Sequence, residues 1–325
     1  MPESPFLSLS DLHAQANRAR AAYKWGEALG LYTQALESPD LPPATRVALL
    51  DGRAQCYEAQ GNFAAEQADL VTLGELAQAA NDLIRQSDCL TRRALSVYNS
   101  GNRAESQSLA EQALELARRS GDRRAEAKSL QALGRISNAI AHIESGLELY
   151  RQLDDLGGQS DCLGNLAYAG LRVGVPPDIS RAHAGQALQL ARQIGDKRRE
   201  AQAYNTLGLL YSDDHARKRN YYEQAIAIDE ELDLWRGRNV MANNLGLLMW
   251  RLGLYARARD YAGQAVKMAR VMDNRELLGG NLDGLGRSYL SLNLLDQAEQ
   301  AFTEGLQLCR EIGDEFNETA HLVGL

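Results

Sequence analysis

Residues 246–274 read GLLMWRLGLYARARDYAGQAVKMARVMDN. Apolar residues recur at steps of three and four on both sides of Leu252-Gly253, the spacing of one buried face of an α-helix. Gly253 interrupts the run where a left-handed residue can end one helix and let the chain turn back. The stretch is therefore two helices folded on each other, with Ala258 small enough for their close contact. Forty residues on, the same pattern returns as Leu285, Gly286, Tyr289, Ala298 and Phe302.

Working outward, the block recurs along nearly the whole chain. A small residue marks each copy, at Ala16, Ala54, Ala94, Gly134, Gly164, Gly208, Gly246 and Gly286. These residues let a neighbouring helix approach. Ala28 serves the same purpose on a second helix, and Tyr57, Tyr211 and Tyr289 are expected to fill the space between paired helices. Gly61 and Gly101 close turns as Gly253 does. Gly121-Asp122, Gly195-Asp196, Asp273-Asn274 and Gly313-Asp314 end second helices and cap the following ones. Strand signals are absent. A hairpin of two helices cannot bury its apolar face alone, so the copies stack into a superhelix.

The block resembles the tetratricopeptide repeat family, in about eight copies, most clearly over 239–315. The family's common period is 34 residues, whereas here it is near 40 and ends in Gly-Asp. That form is similar to the repeats of kinesin light chains, G-protein-signalling modulators and MalT-type bacterial regulators. The resemblance implies an all-α superhelix; no nucleophile–base pair or metal cluster can be assembled from residue spacing, so no catalysis is expected. Residues 1–122 hold three repeats, 123–153 an irregular fourth, and 154–325 the fifth to eighth plus the first helix of a ninth. "ETAHLVGL" (318–325) carries no helix-end signal, so the natural protein is expected to continue past Leu325.

The fourth repeat departs from the rest. Spacing between the small residues runs 38, 40, 40, 30, 44, 38 and 40, and seven residues are missing after Gly134. Leu130, Leu133, Ile136, Ile140, Ile143, Leu147, Tyr150 and Leu153 keep an unbroken helical stripe. Residues 123–153 are accordingly read as one continuous helix, about 46 Å long at 1.5 Å per residue. The alternative is a dwarf hairpin turning at Ser137-Asn138. An opened hairpin would leave each half without its partner, which a second copy could supply by swapping into a two-fold dimer.

Composition narrows the function. Of 325 residues 45% are apolar and 24% charged, and the net charge is −8. A general nucleic-acid binder carries the opposite sign. No apolar run has the length of a membrane span, and the N-terminus lacks a basic secretory leader. Cys56, Cys89, Cys162 and Cys309 are far apart within apolar helical patterns. They read as free thiols of a cytoplasmic protein. No histidine pair has metal-ligand spacing, and no cofactor is expected. "GGNLDGLG" (279–286) lacks the lysine of a phosphate loop and reads as packing. "ARKR" (216–219) reads as a solvated turn.

What remains is surface. In stacked hairpins the first helix of each lines a concave groove. Its exposed positions are Thr91, Tyr98, Asn99, Gln131, Arg135, Asp161, Asn165, Tyr168, Asn205, Asn243, Trp250, Arg251, Asp283 and Arg287, with Asn244 beside them. Amides pair with peptide backbone in either sense, arginine forks to carboxylates, and tyrosine and tryptophan offer rigid apolar area. In families this chain resembles, groove asparagines hold extended peptides. The expectation is a protein- or peptide-binding scaffold, the interaction or sensing region of a bacterial regulatory protein. Two alternatives stand beside it. One is a MalT-like domain that takes a ligand and gates an attached effector; the other is a structural oligomerisation module.

Overall fold

The computed structural model describes residues 8–325, apart from the side chains of residues 315 and 316. Among these residues there are seventeen α-helices and no strand. The first four hairpins are α1 (Leu9–Ala21) with α2 (Trp25–Leu36), α3 (Pro43–Gln60) with α4 (Phe63–Ala79), α5 (Leu83–Ser100) with α6 (Arg103–Ser120), and α7 (Arg123–Ser137) with α8 (Ile140–Gln152). The next four are α9 (Leu156–Val173) with α10 (Pro177–Gln193), α11 (Lys197–Leu210) with α12 (His215–Glu231), α13 (Trp235–Arg251) with α14 (Tyr255–Val271), and α15 (Arg275–Ser291) with α16 (Leu295–Ile312). Helix α17 (Glu315–Gly324) follows. Each helix packs on its neighbours in the chain and most first helices on the next first helix, which gives the expected α-α superhelix.

The turn chemistry follows the sequence. Gly61, Gly101 and Gly253 all have positive φ, as a left-handed helix end requires. Asp122, Asp196, Asn274 and Asp314 each accept a backbone N–H three residues on, capping α7, α11, α15 and α17. The small positions allow close approach in two ways. Gly134 and Gly246 face backbone atoms of their own second helices, whereas Gly208 and Gly286 receive the rings of Tyr222 and Phe302. Gly164 is an exception, with open space where a Cβ would sit.

Two expectations need correction. The aromatic residues that fill the inter-helix space are not Tyr57, Tyr211 and Tyr289, which are only half-buried. They are Tyr32, Tyr222 and Phe302 of the second helices, all fully buried. Nor is 123–153 one helix. It turns at Asn138, whose φ of 54° places it in the left-handed region. The distance from small residue to turn falls from seven residues (Ala94 to Gly101) to four (Gly134 to Asn138). From the turn to the residue before the next left-handed position it falls from nineteen (Gly101 to Ser120) to fifteen (Asn138 to Leu153). Each arm has thus lost about one turn of 3.6 residues. That is why the apolar stripe runs through without a break while the hairpin still closes. The swapped dimer loses its rationale, because α7 and α8 already pair with each other.

Asn138 replaces the glycine of the longer hairpins, and asparagine is one of the few side chains that visits this region readily. Asn138→Gly should leave the thermal midpoint nearly unchanged. Asn138→Val should cost about 1–3 kcal/mol, since a β-branched residue is strained there. Chemical denaturation of the two variants checks the difference.

The superhelix closes on itself. Helix α13 touches α3 and α15 touches α5, so the second hairpin meets the seventh and the third meets the eighth, five hairpins to a turn. Consecutive turns join along a seam of corners. Trp25 Nε1 donates to the Leu232 carbonyl at 2.9 Å. Gly61 lies so close to Met272 that a Cβ would come within 2.6 Å of its sulfur, and one on Gly101 would lie 3.0 Å from Ile312. Arg103 pairs with the buried Asp314 at 3.6 Å. One buried cluster accordingly runs from α1–α3 through α11–α13.

Candidate functional site

The first helices of the hairpins form the inner wall, and a ladder of polar contacts ties each to the next. Arg20 donates to Gln55, Arg92 pairs with Asp51 and Lys128 pairs with Asp88. Arg199 forks onto both carboxylate oxygens of Asp161 at 2.9 and 2.8 Å. Asn244 Nδ2 donates to Asn205 Oδ1 at 2.9 Å, and deeper down Asn281 Nδ2 donates to Asn239 Oδ1 at 3.1 Å. Trp250 Nε1 donates to Ser291 Oγ at 2.8 Å. Inter-repeat polar bonds of this kind fix the register of one helix on the next, because a slip would strand both partners.

A charged layer lies where the two turns of the superhelix meet. The C-terminal ends of α3, α5 and α7 bring Glu58, Tyr98 and Arg135 towards Arg198, Arg236 and Glu276 at the N-terminal ends of α11, α13 and α15. Arg198 Nη2 donates to Glu58 Oε1 at 2.6 Å. Burial opposes ionisation of Glu58, but the Arg198 guanidinium outweighs it and holds the carboxyl down at about 2. Burial pushes the Tyr98 phenol up, with the Glu276 carboxylate adding to it. Burial lowers Arg236, and Arg135 beside it pushes in the same direction. Burial also raises Glu276, against the pull of Arg236, Arg103 and Arg135.

The groove residues read from sequence divide into three groups. Asp161, Asn205, Asn244, Trp250, Asp283 and Arg287 are engaged within the chain, the last two with each other at 2.8 Å. Arg287 also lies 5.9 Å from the Trp250 ring. Tyr98, Gln131 and Arg135 are half-buried, Tyr98 with Arg103 5.8 Å over its ring, while Tyr168 and Arg251 are exposed. Asn165 Nδ2 and Asn243 Oδ1 form the third group. Both atoms are shielded from solvent by the fold and neither has a hydrogen-bond partner. Thr91 is a correction: it is fully buried and bonds Ser129 Oγ at 3.1 Å, so it belongs to the interface between α5 and α7. Asn99 is buried as well.

Elsewhere the side chains have packing roles. All four cysteines are free and buried. Burial pushes the thiols of Cys56 and Cys89 up to about 11 and that of Cys309 to about 12, which keeps them protonated and unreactive. His321 is fully buried, its Nε2 3.0 Å from the Gly279 carbonyl oxygen. The glycines of 279–286 sit inside α15, where Gly279 meets Cys309 and Gly286 meets Phe302. In the 216–219 cluster Arg217 pairs with Asp214 and Arg219 with Glu223. Among the described residues no group of three or more His, Cys, Asp or Glu could hold a metal ion, and no helix is long and apolar enough to cross a membrane.

Comparison with known proteins agrees with this architecture. Residues 240–272 match a family model described as tetratricopeptide repeat. No curated protein matches the sequence. Among solved structures, a Rap protein complexed with competence and sporulation factor aligns with a TM-score of 0.62 at 15% identity, over 97% of this chain and 95% of that one. The Rap conjugation gene regulator of plasmid pLS20, in complex with the Phr* peptide, gives 0.62 at 13% identity over 92% and 80%. A signal transduction ATPase from Pyrococcus horikoshii with a tetratricopeptide repeat sensor gives 0.56 at 12% identity, over 94% of this chain and 48% of that one. The fold is that of a tetratricopeptide-repeat superhelix.

Proposed function

We propose that the chain binds an extended peptide in its inner channel and works as the non-catalytic interaction or sensing region of a bacterial regulatory protein. The observation that carries this reading is the pair of unpartnered amides, Asn165 and Asn243, on the first helices of the fifth and seventh hairpins. An unsatisfied buried polar atom costs about 1–3 kcal/mol. Turned towards the channel, the two side chains would take a donor for Asn243 Oδ1 and an acceptor for Asn165 Nδ2 from a peptide backbone. Tyr168, one turn along α9 from Asn165, is exposed and would meet the peptide's side chains. Two of the similar superhelices are described with a peptide or factor bound, and a third as a sensor joined to an ATPase. That third likeness favours the second reading, in which ligand binding gates an attached effector.

A phage-displayed heptapeptide library panned on the immobilised protein tests the proposal. Sequences should be enriched, and the synthetic peptides should bind by calorimetry. Asn165→Ala with Asn243→Ala should weaken them at least tenfold, which corresponds to the 1.4 kcal/mol expected of one or two lost hydrogen bonds. No enrichment over bare support, or equal affinity for the double variant, would overturn it.

A further inference from the structure

The charged layer between the two turns is not electrically balanced. Arg198 is held by Glu58, and Arg103 by Asp314. Elsewhere on the inner wall Arg92, Arg199 and Arg287 each hold a carboxylate. Arg135 and Arg236 hold none among the described residues. Exposed Arg251 can rely on water instead, whereas both of these are half-buried. Arg236 Nε is shielded from solvent and donates to nothing. The two guanidiniums also repel each other, since Arg135 adds to burial in pushing Arg236 down. Glu276 is the carboxylate that remains to them, and it offsets at most one of the two charges, because burial raises it. The layer is short of one negative charge.

The position of the pair relative to the amides identifies what could supply that charge. Arg236 and Asn243 are seven residues apart on α13. That is two turns and nearly one face, about 10.5 Å along the axis. An extended chain covers the distance in about three residues. Tyr98 connects the other amide. Its phenol feels both Glu276 and Tyr168, and Tyr168 stands one turn along α9 from Asn165. A chain lying along the two amides therefore reaches the arginines at one end. Burial keeps the Tyr98 phenol protonated, which makes it a further donor there.

We infer that Arg135 and Arg236 hold a carboxylate of the bound peptide, about three residues from the one that meets Asn243. The inference rests on the peptide reading above and adds the charge of the ligand. A carboxylate has the shape onto which guanidinium groups fork, and its single charge balances the layer. A phosphate group carries nearly two charges and would overshoot. The carboxylate is either the C-terminus of the peptide or an Asp or Glu side chain.

Four synthetic heptapeptide pools separate these sources: random sequences with and without Asp and Glu, each made as the C-terminal acid and as the amide. Each is passed over the immobilised protein, and retained peptides are read by mass spectrometry. The amide pool without Asp and Glu should be retained at least tenfold less than the best of the others. Loss on amidation alone assigns the C-terminus, and loss on omitting Asp and Glu assigns a side chain. The net charge of −8 works against acidic peptides, so a preference for them would be local. For a retained peptide, converting that carboxylate to its amide should weaken binding at least tenfold on the wild type. On Arg135→Gln with Arg236→Gln it should cost less than twofold. The double variant should also melt at or above the wild type, because it relieves a repulsion and breaks no pair. Equal retention of all four pools, or equal loss on both proteins, would overturn the inference and leave the peptide reading standing. A lower melting temperature would also overturn it, by making the two arginines structural. No retention from any pool would remove both readings.

Discussion

Replacing Met272 and Ile312 together by aspartate is expected to open the superhelix while leaving its helices formed. Both side chains stand at the ends of second helices, at 3 and 8% exposure, and they face Gly61 and Gly101 across the seam. Neither is needed to hold its own hairpin, whose contacts come from the interior positions of α14 and α16. A carboxylate in either place would be desolvated against a glycine corner. At the Ile312 corner, Arg103 is already committed to Asp314. Burying unpaired charge costs several kcal/mol. The Trp25–Leu232 bond and the Glu58–Arg198 pair are then too few to hold the turns together. Small-angle scattering should show a larger radius of gyration at unchanged helical circular dichroism. An unchanged scattering profile would mean that the seam is held elsewhere, at the α1–α3 cluster.

The same double variant bears on the channel. Arg198, Arg236 and Glu276 reach Glu58, Tyr98 and Arg135 only because one turn sits on the next. With the seam open, Arg198 loses Glu58, and that carboxyl returns from about 2 towards its ordinary value near 4.3. The closed form therefore owes the Glu58–Arg198 contribution to ionised Glu58. Its folded pKa is depressed, so this stabilisation is present above the ordinary value and disappears as pH falls through about 2.

How far the sequence carried can be read from particular residues. Fold class and hairpin boundaries were legible because glycine turns, alanine contacts and Asp or Asn caps recur at constant offsets. Those offsets are local, fixed by left-handed φ and by helix-end hydrogen bonds. The dwarf hairpin was not legible, because removing one turn from each arm preserves the apolar phase. Only Asn138 marks the break, and asparagine is ambiguous between turn and helix surface. The seam was missed for another reason: it joins residues two hundred positions apart, and no local offset encodes it. The residue before the left-handed position does not mark it either: it is already Leu153 and Ile194 in the fourth and fifth hairpins, before Leu232, Met272 and Ile312 in the later ones. Of the groove set, the helix face was predicted from the repeat, but the pairing among its members was not. Asn205 and Asn244 satisfy each other, whereas Asn165 and Asn243 do not, and that difference rests on side-chain placement.

The second large effect is expected at Phe302. Its side chain is 1% exposed, and its ring stands between two glycines, Gly286 on α15 and Gly324 on α17, where Cβ atoms would come within 2.6 and 2.5 Å. The His321 ring meets it edge-on at 6.1 Å. Phe302→Ala should therefore cost about 3–5 kcal/mol, near the upper end for such changes, because glycines have no side chain to move into the cavity. The loss should not spread evenly. In a stacked array each hairpin is stabilised mainly by its neighbours, so α15 to α17 should open first. Ile312 lies on α16 and meets Gly101, so the corner of the third hairpin should lose protection with them. The fifth hairpin packs on the fourth and sixth, and it should stay protected. Hydrogen exchange read by mass spectrometry distinguishes this from a uniform loss, which would mean that the closed superhelix unfolds as one unit and that the seam binds its two turns as tightly as the hairpins bind one another.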